Sequence, residues 1–238
     1  MKYMGSKRRI AKHIIPIMVE AADKADITKW VEPFVGGANL IDKVPDRFER
    51  VGYDLNEHAI YALKDIRDGA DGLPDSVTEQ EYNNMKGSPA ASVTSWARFE
   101  CSFGAKFEGG YARNKTGANY AIYGRNLALK QSPLIQGVKF IHANYRDLSF
   151  TDSLIYCDPP YQNTSGYKTG KFNHDEFFDW CRLQAKSNVV FVSEYNAPED
   201  FELVWQGEIK TNFASDRKKA THNRVEKLFR VVVQSQRG

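Results

Sequence analysis

The sequence predicts an α/β domain built on a mainly parallel sheet and interrupted by one long inserted segment. Short β-type apolar runs alternate with stretches of helical period near both ends of the chain. Between Gly69 and Gly137 that alternation stops, and glycine, serine, asparagine and aromatic residues take over. The whole chain has 238 residues, 42% hydrophobic and 13% aromatic, which supports a well-packed core and excludes disorder as the main state.

The elements follow in order. Ile10, Ile14, Ile17, Met18 and Ala21 recur at a helical period, so residues 10–22 form a helix. Residues 30–34 form a short strand that ends in Val35-Gly36-Gly37-Ala38, and Asn39-Leu40-Ile41 is expected to open the next helix. A second strand covers 51–54. A helix over 56–67 places Ala59, Ile60, Leu63 and Ile66 on one face. Strand, glycine turn, helix, strand and helix make a βαβ unit, which favours a parallel sheet. Within 69–137 only a helix near 92–101 is expected. Strands resume at 138–141 and 153–157, followed by a helix over 174–186 and strands at 189–192 and 228–233.

Composition also removes several classes of function. No stretch approaches the roughly 20 apolar residues of a membrane span, and the basic N-terminus lacks the adjoining apolar run of a signal peptide. Three widely spaced cysteines, Cys101, Cys157 and Cys181, make neither a disulfide framework nor a zinc site, and core positions are expected for them. The five histidines show no ligand spacing, so no metal is expected. These features fit a cytoplasmic protein. Net charge is only +3, but basic residues gather around Lys7–Lys12, around Arg113 and Lys115, and from Lys210 to Lys227. Any one cluster reads as a solvated face; together they fit a nucleic-acid partner equally well.

Three features carry chemistry. The turn Phe34-x-Gly36-Gly37-Ala38 lets a ligand approach the backbone, although a tight turn needing positive φ explains it equally well. It is neither a dinucleotide fingerprint nor a phosphate loop. Asp54 ends the second strand 17 residues after Gly37, where an acid can bond both ribose hydroxyls or can cap the following helix. Turn and acid together favour an adenosine-containing cofactor and do not separate NAD from S-adenosylmethionine. Asp158-Pro159-Pro160-Tyr161 directly follows an apolar strand. Its prolines stiffen the turn and remove two amide donors, the aspartate adds an acceptor, and the tyrosine adds a flat ring. Such a set suits a planar group bearing an exocyclic NH₂. The helical face of Phe177, Phe178, Trp180 and Leu183 reads as core, whereas Tyr167 and Phe172 read as part of a loop closing over a base.

On these residues the sequence resembles the Dam-type adenine-specific DNA methyltransferases. Asp158-Pro159-Pro160-Tyr161 matches their catalytic motif, Glu32-Pro33-Phe34-Val35-Gly36-Gly37 their cofactor loop, Asp54-Leu55-Asn56 their ribose acid, and Tyr3-x-Gly5-x-Lys7 their N-terminal motif. Ala38 stands where many relatives carry a third glycine, and Tyr3 where the nearest Dam relatives carry tryptophan. The resemblance implies a Rossmann-like S-adenosylmethionine-dependent methyltransferase sheet, formed by residues 1–68 and 138–238, with an inserted, mainly helical target-recognition segment at 69–137.

It further implies methyl transfer to the N6 amine of a flipped adenine in double-stranded DNA, with S-adenosylhomocysteine as product. No metal and no obligatory protein partner are expected. A bacterial cytoplasm is the implied location, with DNA methylation and restriction–modification as the setting. Catalytic residues would be Asp158, Pro159, Pro160 and Tyr161; cofactor residues Tyr3, Lys7, Phe34, Gly36, Gly37, Asp54 and Asp158. Asp147 would lie near the cofactor adenine or serve as a turn residue. For phosphate contacts the basic positions Arg113, Lys115, Arg125, Arg217, Lys218 and Lys219 are expected. Methylation of adenine in RNA, or of the cytosine N4 amine, makes the same demand on the site. An inactive DNA-binding relative is the reading from another class.

Overall fold

A computed structural model describes residues 1–113, 117–161, 172–210 and 223–232. Its strands are β1 (Lys29–Glu32), β2 (Glu49–Asp54), β3 (Lys139–His142), β4 (Ser153–Cys157), β5 (Val189–Ser193), β6 (Phe201–Lys210) and β7 (Asn223–Val231). They form a seven-stranded sheet in the order β3-β2-β1-β4-β5-β7-β6. β2 runs parallel to β3, and β4 parallel to both β1 and β5, while β7 is antiparallel to β5 and β6. A mainly parallel sheet closed by an antiparallel hairpin is the α/β class that the sequence predicts.

The chain divides into two compact units. The first comprises Met1–Arg8 and Phe34–Asp147, the second Arg9–Pro33 and Leu148–Gly238.

In the first unit, α2 (Glu57–Gly69) buries the predicted face of Ala59, Ile60, Leu63 and Ile66. Asn56 caps it by accepting the His58 N–H at 3.1 Å. The 69–137 stretch holds α3 (Glu79–Met85), α4 (Thr94–Glu100) and α5 (Tyr120–Gln131), more helix than the one near 92–101 that its residue pattern predicts and in keeping with the mainly helical segment that the resemblance implies. A Thr78/Glu81 capping box starts α3, a signal readable in the sequence as Thr-x-x-Glu. α5 hid for a physical reason. Its buried positions are Ala121, Gly124, Ala128 and Gln131, while Ile122, Tyr123 and Leu129 are exposed, so no apolar stripe marks the helix.

One expectation fails here. No α-helix follows the glycine turn, only a short 3₁₀ turn at Ile41–Lys43. Pro45 holds Val44 extended (φ −71°, ψ 133°), which stops helix growth.

In the second unit, α1 (Ala11–Lys24) buries Ile14, Ile15 and Met18. β4 is buried at every position. α6 (His174–Ala185) buries Phe177, Phe178 and Trp180, but Leu183 points to solvent, 58% exposed, rather than joining that face. β6 went unseen in the sequence because it is an edge strand that pairs only with β7 and mixes charged residues and a glycine with its apolar ones. All three cysteines are buried and free, as core residues.

Candidate active site

The first unit builds a cradle around the glycine turn largely from backbone. Gly36 adopts φ +50°, and a Cβ there would lie 2.9 Å from the Tyr3 ring. At Gly37 a Cβ would meet the Asn39 amide at 2.6 Å and Tyr3 Cβ at 2.7 Å. The glycines are therefore demanded by the close approach of the N-terminal segment. Remote residues fix that segment: Asn39 Nδ2 donates to the Met1 carbonyl at 2.9 Å, and the Lys2 N–H donates to buried Glu100 at 2.7 Å. Gln131 on α5 donates to the Gly37 and Ala38 carbonyls at 3.0 and 3.1 Å. Lys7 is buried, with its ammonium on the Gly5 carbonyl at 3.0 Å. Phe34 packs against Tyr145 at 5.2 Å between centroids.

Asp54 closes β2, and its two oxygens accept the Gly36 and Asn56 N–H groups, each at 2.8 Å. The capping reading for Asp54 thus gives way, since Asn56 caps α2 and Asp54 ties the glycine turn to that helix. Burial raises the Asp54 pKa to about 6, with the two N–H donors pulling the other way. Each carboxylate oxygen has a second lone-pair direction, so the group can still accept from a diol. That donor set suits an adenosine ribose. Asp147 lies in an exposed turn, its N–H on the Asn144 carbonyl at 3.0 Å.

The second unit carries the Asp158-Pro159-Pro160-Tyr161 turn. Asp158 follows the carboxyl end of β4, partly exposed, while Pro159 is buried. The Asp158 charge helps raise the pKa values of Tyr156 and Tyr161, after burial itself. Tyr161 donates its hydroxyl to Glu226 on β7 at 2.8 Å, and its ring meets Tyr195 edge-on at 4.6 Å. His174 Nε2 lies 3.0 Å from the Pro160 carbonyl and 3.5 Å from buried Glu194. Phe172 sits edge-on to His174 at 4.9 Å and packs on Phe177 at 5.5 Å, so it is anchored to α6 rather than standing free in a loop. Glu32, buried at the end of β1, accepts the Trp30 indole N–H at 3.1 Å.

Sequence reasoning missed Glu226, Tyr195, His174 and Glu194 on the catalytic side. It also missed Asn39, Glu100 and Gln131 beside the glycine turn. Only Asn39 lies next to a motif; the rest arrive from remote elements and leave no local signature.

Among the basic positions, Arg113 forms a two-pronged ion pair with Glu79, Nε on Oε2 at 3.0 Å. Arg125 donates to the Asp71 carbonyl at 3.0 Å. Lys115, Arg217, Lys218 and Lys219, as well as Tyr167, lie outside the described residues. Among the described residues no group of His, Cys, Asp and Glu could hold a metal ion, and no helix is long and apolar enough to cross a membrane.

Residues 3–90 match the family of D12 class N6 adenine-specific DNA methyltransferases. The chain is 23% identical over 216 residues to Type II methyltransferase M.MjaIII of Methanocaldococcus jannaschii, covering 76% of this chain and 74% of that protein. Among solved structures, the rRNA methyltransferase aviRa of Streptomyces viridochromogenes superposes with a TM-score of 0.48 at 12% identity, over 96% of this chain and 86% of that one. A Thermoplasma acidophilum protein superposes with a TM-score of 0.45 at 10% identity, over 94% and 89% of the two chains. The matched stretch contains the N-terminal motif, the glycine turn and Asp54. Family match and relative support an adenine-specific DNA methyltransferase.

Proposed function

We propose that the protein transfers a methyl group from S-adenosylmethionine to the exocyclic N6 of an adenine turned out of duplex DNA. The observation that carries this reading is the Asp158-Pro159-Pro160-Tyr161 turn at the carboxyl end of a buried parallel strand, with its tyrosine braced by Glu226 and Tyr195.

Tyr3, Lys7, Phe34, Gly36, Gly37 and Asp54 would hold the cofactor, Asp54 accepting from the ribose hydroxyls. Asp158 is the further cofactor-side residue. When bound, S-adenosylmethionine supplies an electrophilic methyl carried on a sulfonium. The adenine amine is a poor nucleophile because its lone pair is delocalised into the ring. Asp158 and the Pro159 carbonyl accept its two hydrogens, which favours a more tetrahedral nitrogen with an available lone pair. Asp158 acts as an orienting acceptor. The Tyr161 ring offers a stacking face that recovers part of the cost of base flipping, on the order of 1–3 kcal/mol.

Residues 69–137 serve as the target-recognition segment, with residues 1–68 and 138–238 as the catalytic domain. Phosphate contacts come from Arg125, Arg113, Lys115 and the run Arg217 to Lys219. For Arg113 such a contact displaces or shares the Glu79 pair. No metal and no second protein take part, and a bacterial cytoplasm is the setting.

Labelled S-adenosylmethionine incubated with unmethylated duplex DNA, the same sequence as RNA, and adenine-free DNA tests the reading. Label recovered as N6-methyladenine from the DNA duplex alone is the expected result. Label on RNA, or on cytosine N4 in the adenine-free duplex, would replace it.

A further inference from the structure

The two prolines of the Asp158-Pro159-Pro160-Tyr161 turn lie outside helix and strand, and among the described residues their carbonyls are not equivalent. The Pro160 carbonyl lies 3.0 Å from His174 Nε2, the first residue of α6. The same nitrogen lies 3.5 Å from Glu194 Oε2, at the carboxyl end of β5. Glu194 is 1% exposed, and its other oxygen accepts the Tyr195 N–H at 2.7 Å. The imidazole is further fixed by the edge-on Phe172 ring. A carbonyl and a carboxylate are both acceptors, so Nε2 must carry the hydrogen, which it gives to the nearer Pro160 carbonyl with the Glu194 carboxylate beside it.

We propose that His174 is a positioning residue for methyl transfer: its Nε2–H, steadied by Glu194, holds the Pro160 carbonyl. The proposal rests on the methyltransferase reading above. Its physical content is a sorting of acceptors. With Pro160 engaged by the imidazole, the substrate amine is left with Pro159 and Asp158. The Pro159 carbonyl and the Pro160 carbonyl lie in successive peptide planes that meet at Pro160, where the ring already fixes φ; holding the Pro160 carbonyl limits the remaining ψ rotation and so aims the Pro159 carbonyl. Glu194 has a double use: one oxygen lies 3.5 Å from the imidazole, and the other accepts the backbone N–H of Tyr195, the residue whose ring abuts Tyr161. Turn and stacking ring are thereby tied to one buried carboxylate. His174 touches no reacting atom in this scheme, and its effect passes through the turn.

The test is single-turnover methyl transfer to duplex DNA by the full chain as wild type, His174→Ala and His174→Gln. Cofactor affinity, DNA affinity and thermal midpoint are measured on each. A displaced turn should slow the chemical step by about 10²-fold in His174→Ala, with both affinities and the midpoint near wild type. A glutamine amide can donate to the same carbonyl, so His174→Gln should recover at least tenfold of that loss, within about one order of magnitude of wild type. Three results would overturn the role: an unchanged rate in His174→Ala, a loss matched by lost affinity or unfolding, or no recovery by glutamine. Glu194→Gln is the second variant, and it should lower the rate in the same direction as His174→Ala while leaving cofactor affinity alone. An unaffected Glu194→Gln would remove Glu194 from the scheme. If the wild-type chain transfers no methyl group to DNA, the function itself fails and the positioning role falls with it. Active wild type beside an equally active His174→Ala overturns the positioning role alone.

Discussion

The two units build their candidate sites in different ways. In the first, the site is made of backbone: a glycine turn with a tyrosine against it, and a carboxylate tied to two N–H groups. In the second, it is made of side chains gathered from distant elements, with Glu226 from β7, Tyr195 after β5 and His174 from α6 meeting a four-residue turn. A backbone cradle gives fixed shape with little tolerance for added atoms. A side-chain brace gives direction, and each brace can be removed without closing the site. Substitutions should therefore separate the units: changes in the first alter cofactor affinity and stability, changes in the second alter the rate of transfer.

The largest effect tried against that contrast is Gly37→Ala. Its Cβ would enter the space of Asn39 and Tyr3, at 2.6 and 2.7 Å. Overpacking of this kind costs about 1–3 kcal/mol, so calorimetry should show lower stability together with weaker cofactor binding. Unchanged values would mean that the N-terminal segment yields easily and that the cradle is not rigid.

Asp54→Asn comes next and sharpens the same side. Folding raises the Asp54 pKa from 3.8 to about 6, so between those values the folded chain binds a proton that the unfolded chain has released. Stability from this group is present at low pH and is lost as pH rises through 6. Cofactor affinity should run the other way, because the ionised carboxylate is the better acceptor and is depleted as pH falls below 6. Denaturation and binding titrations from pH 5 to 7 should show opposite slopes in wild type and neither slope in Asp54→Asn. Neutralising the acceptor should weaken cofactor binding by about 1.5–3 kcal/mol at pH 7. Parallel slopes would remove Asp54 from the ribose site.

On the other unit, Tyr161→Phe keeps the ring and deletes the bond to Glu226. Losing one such bond costs about 1 kcal/mol, which should appear as a few-fold slower transfer with cofactor affinity intact. A larger loss would give the hydroxyl a role beyond bracing. The smallest effect concerns Ala38, held at φ +54° without glycine's freedom. Ala38→Gly should raise stability by about 0.5–1 kcal/mol in a denaturant titration, the relief of left-handed strain exceeding the added chain entropy. A fall in stability would show that the Ala38 methyl contributes more by packing than its backbone loses.

How far the sequence could be read follows from the same contrast. Its α/β class was legible because β4, β5, α1 and α2 carry their apolar periods openly. β6 and α5 were not: one is a mixed edge strand, the other buries alanine and glycine and exposes its larger apolar residues. The candidates Asp54 and Asp158-Pro159-Pro160-Tyr161 could be picked out because both lie in short contiguous motifs at strand ends. What supports them could not, since Glu226 is 65 residues from Tyr161 and Gln131 is 94 from Gly37. The helix expected after the glycine turn shows the converse, a local pattern overruled by Pro45 and by the N-terminal segment pressing on Gly37.

The most direct test of the account pairs two readouts on Asp158→Ala, calorimetric binding of S-adenosylmethionine and transfer of labelled methyl to duplex DNA. Asp158 is one of seven cofactor-side residues, so binding should weaken only modestly while transfer falls by on the order of 10²–10³-fold, with N6-methyladenine formed by wild type alone. Transfer at the wild-type rate would contradict the role given to Asp158, and loss of binding and transfer together would contradict the division of labour between the two units.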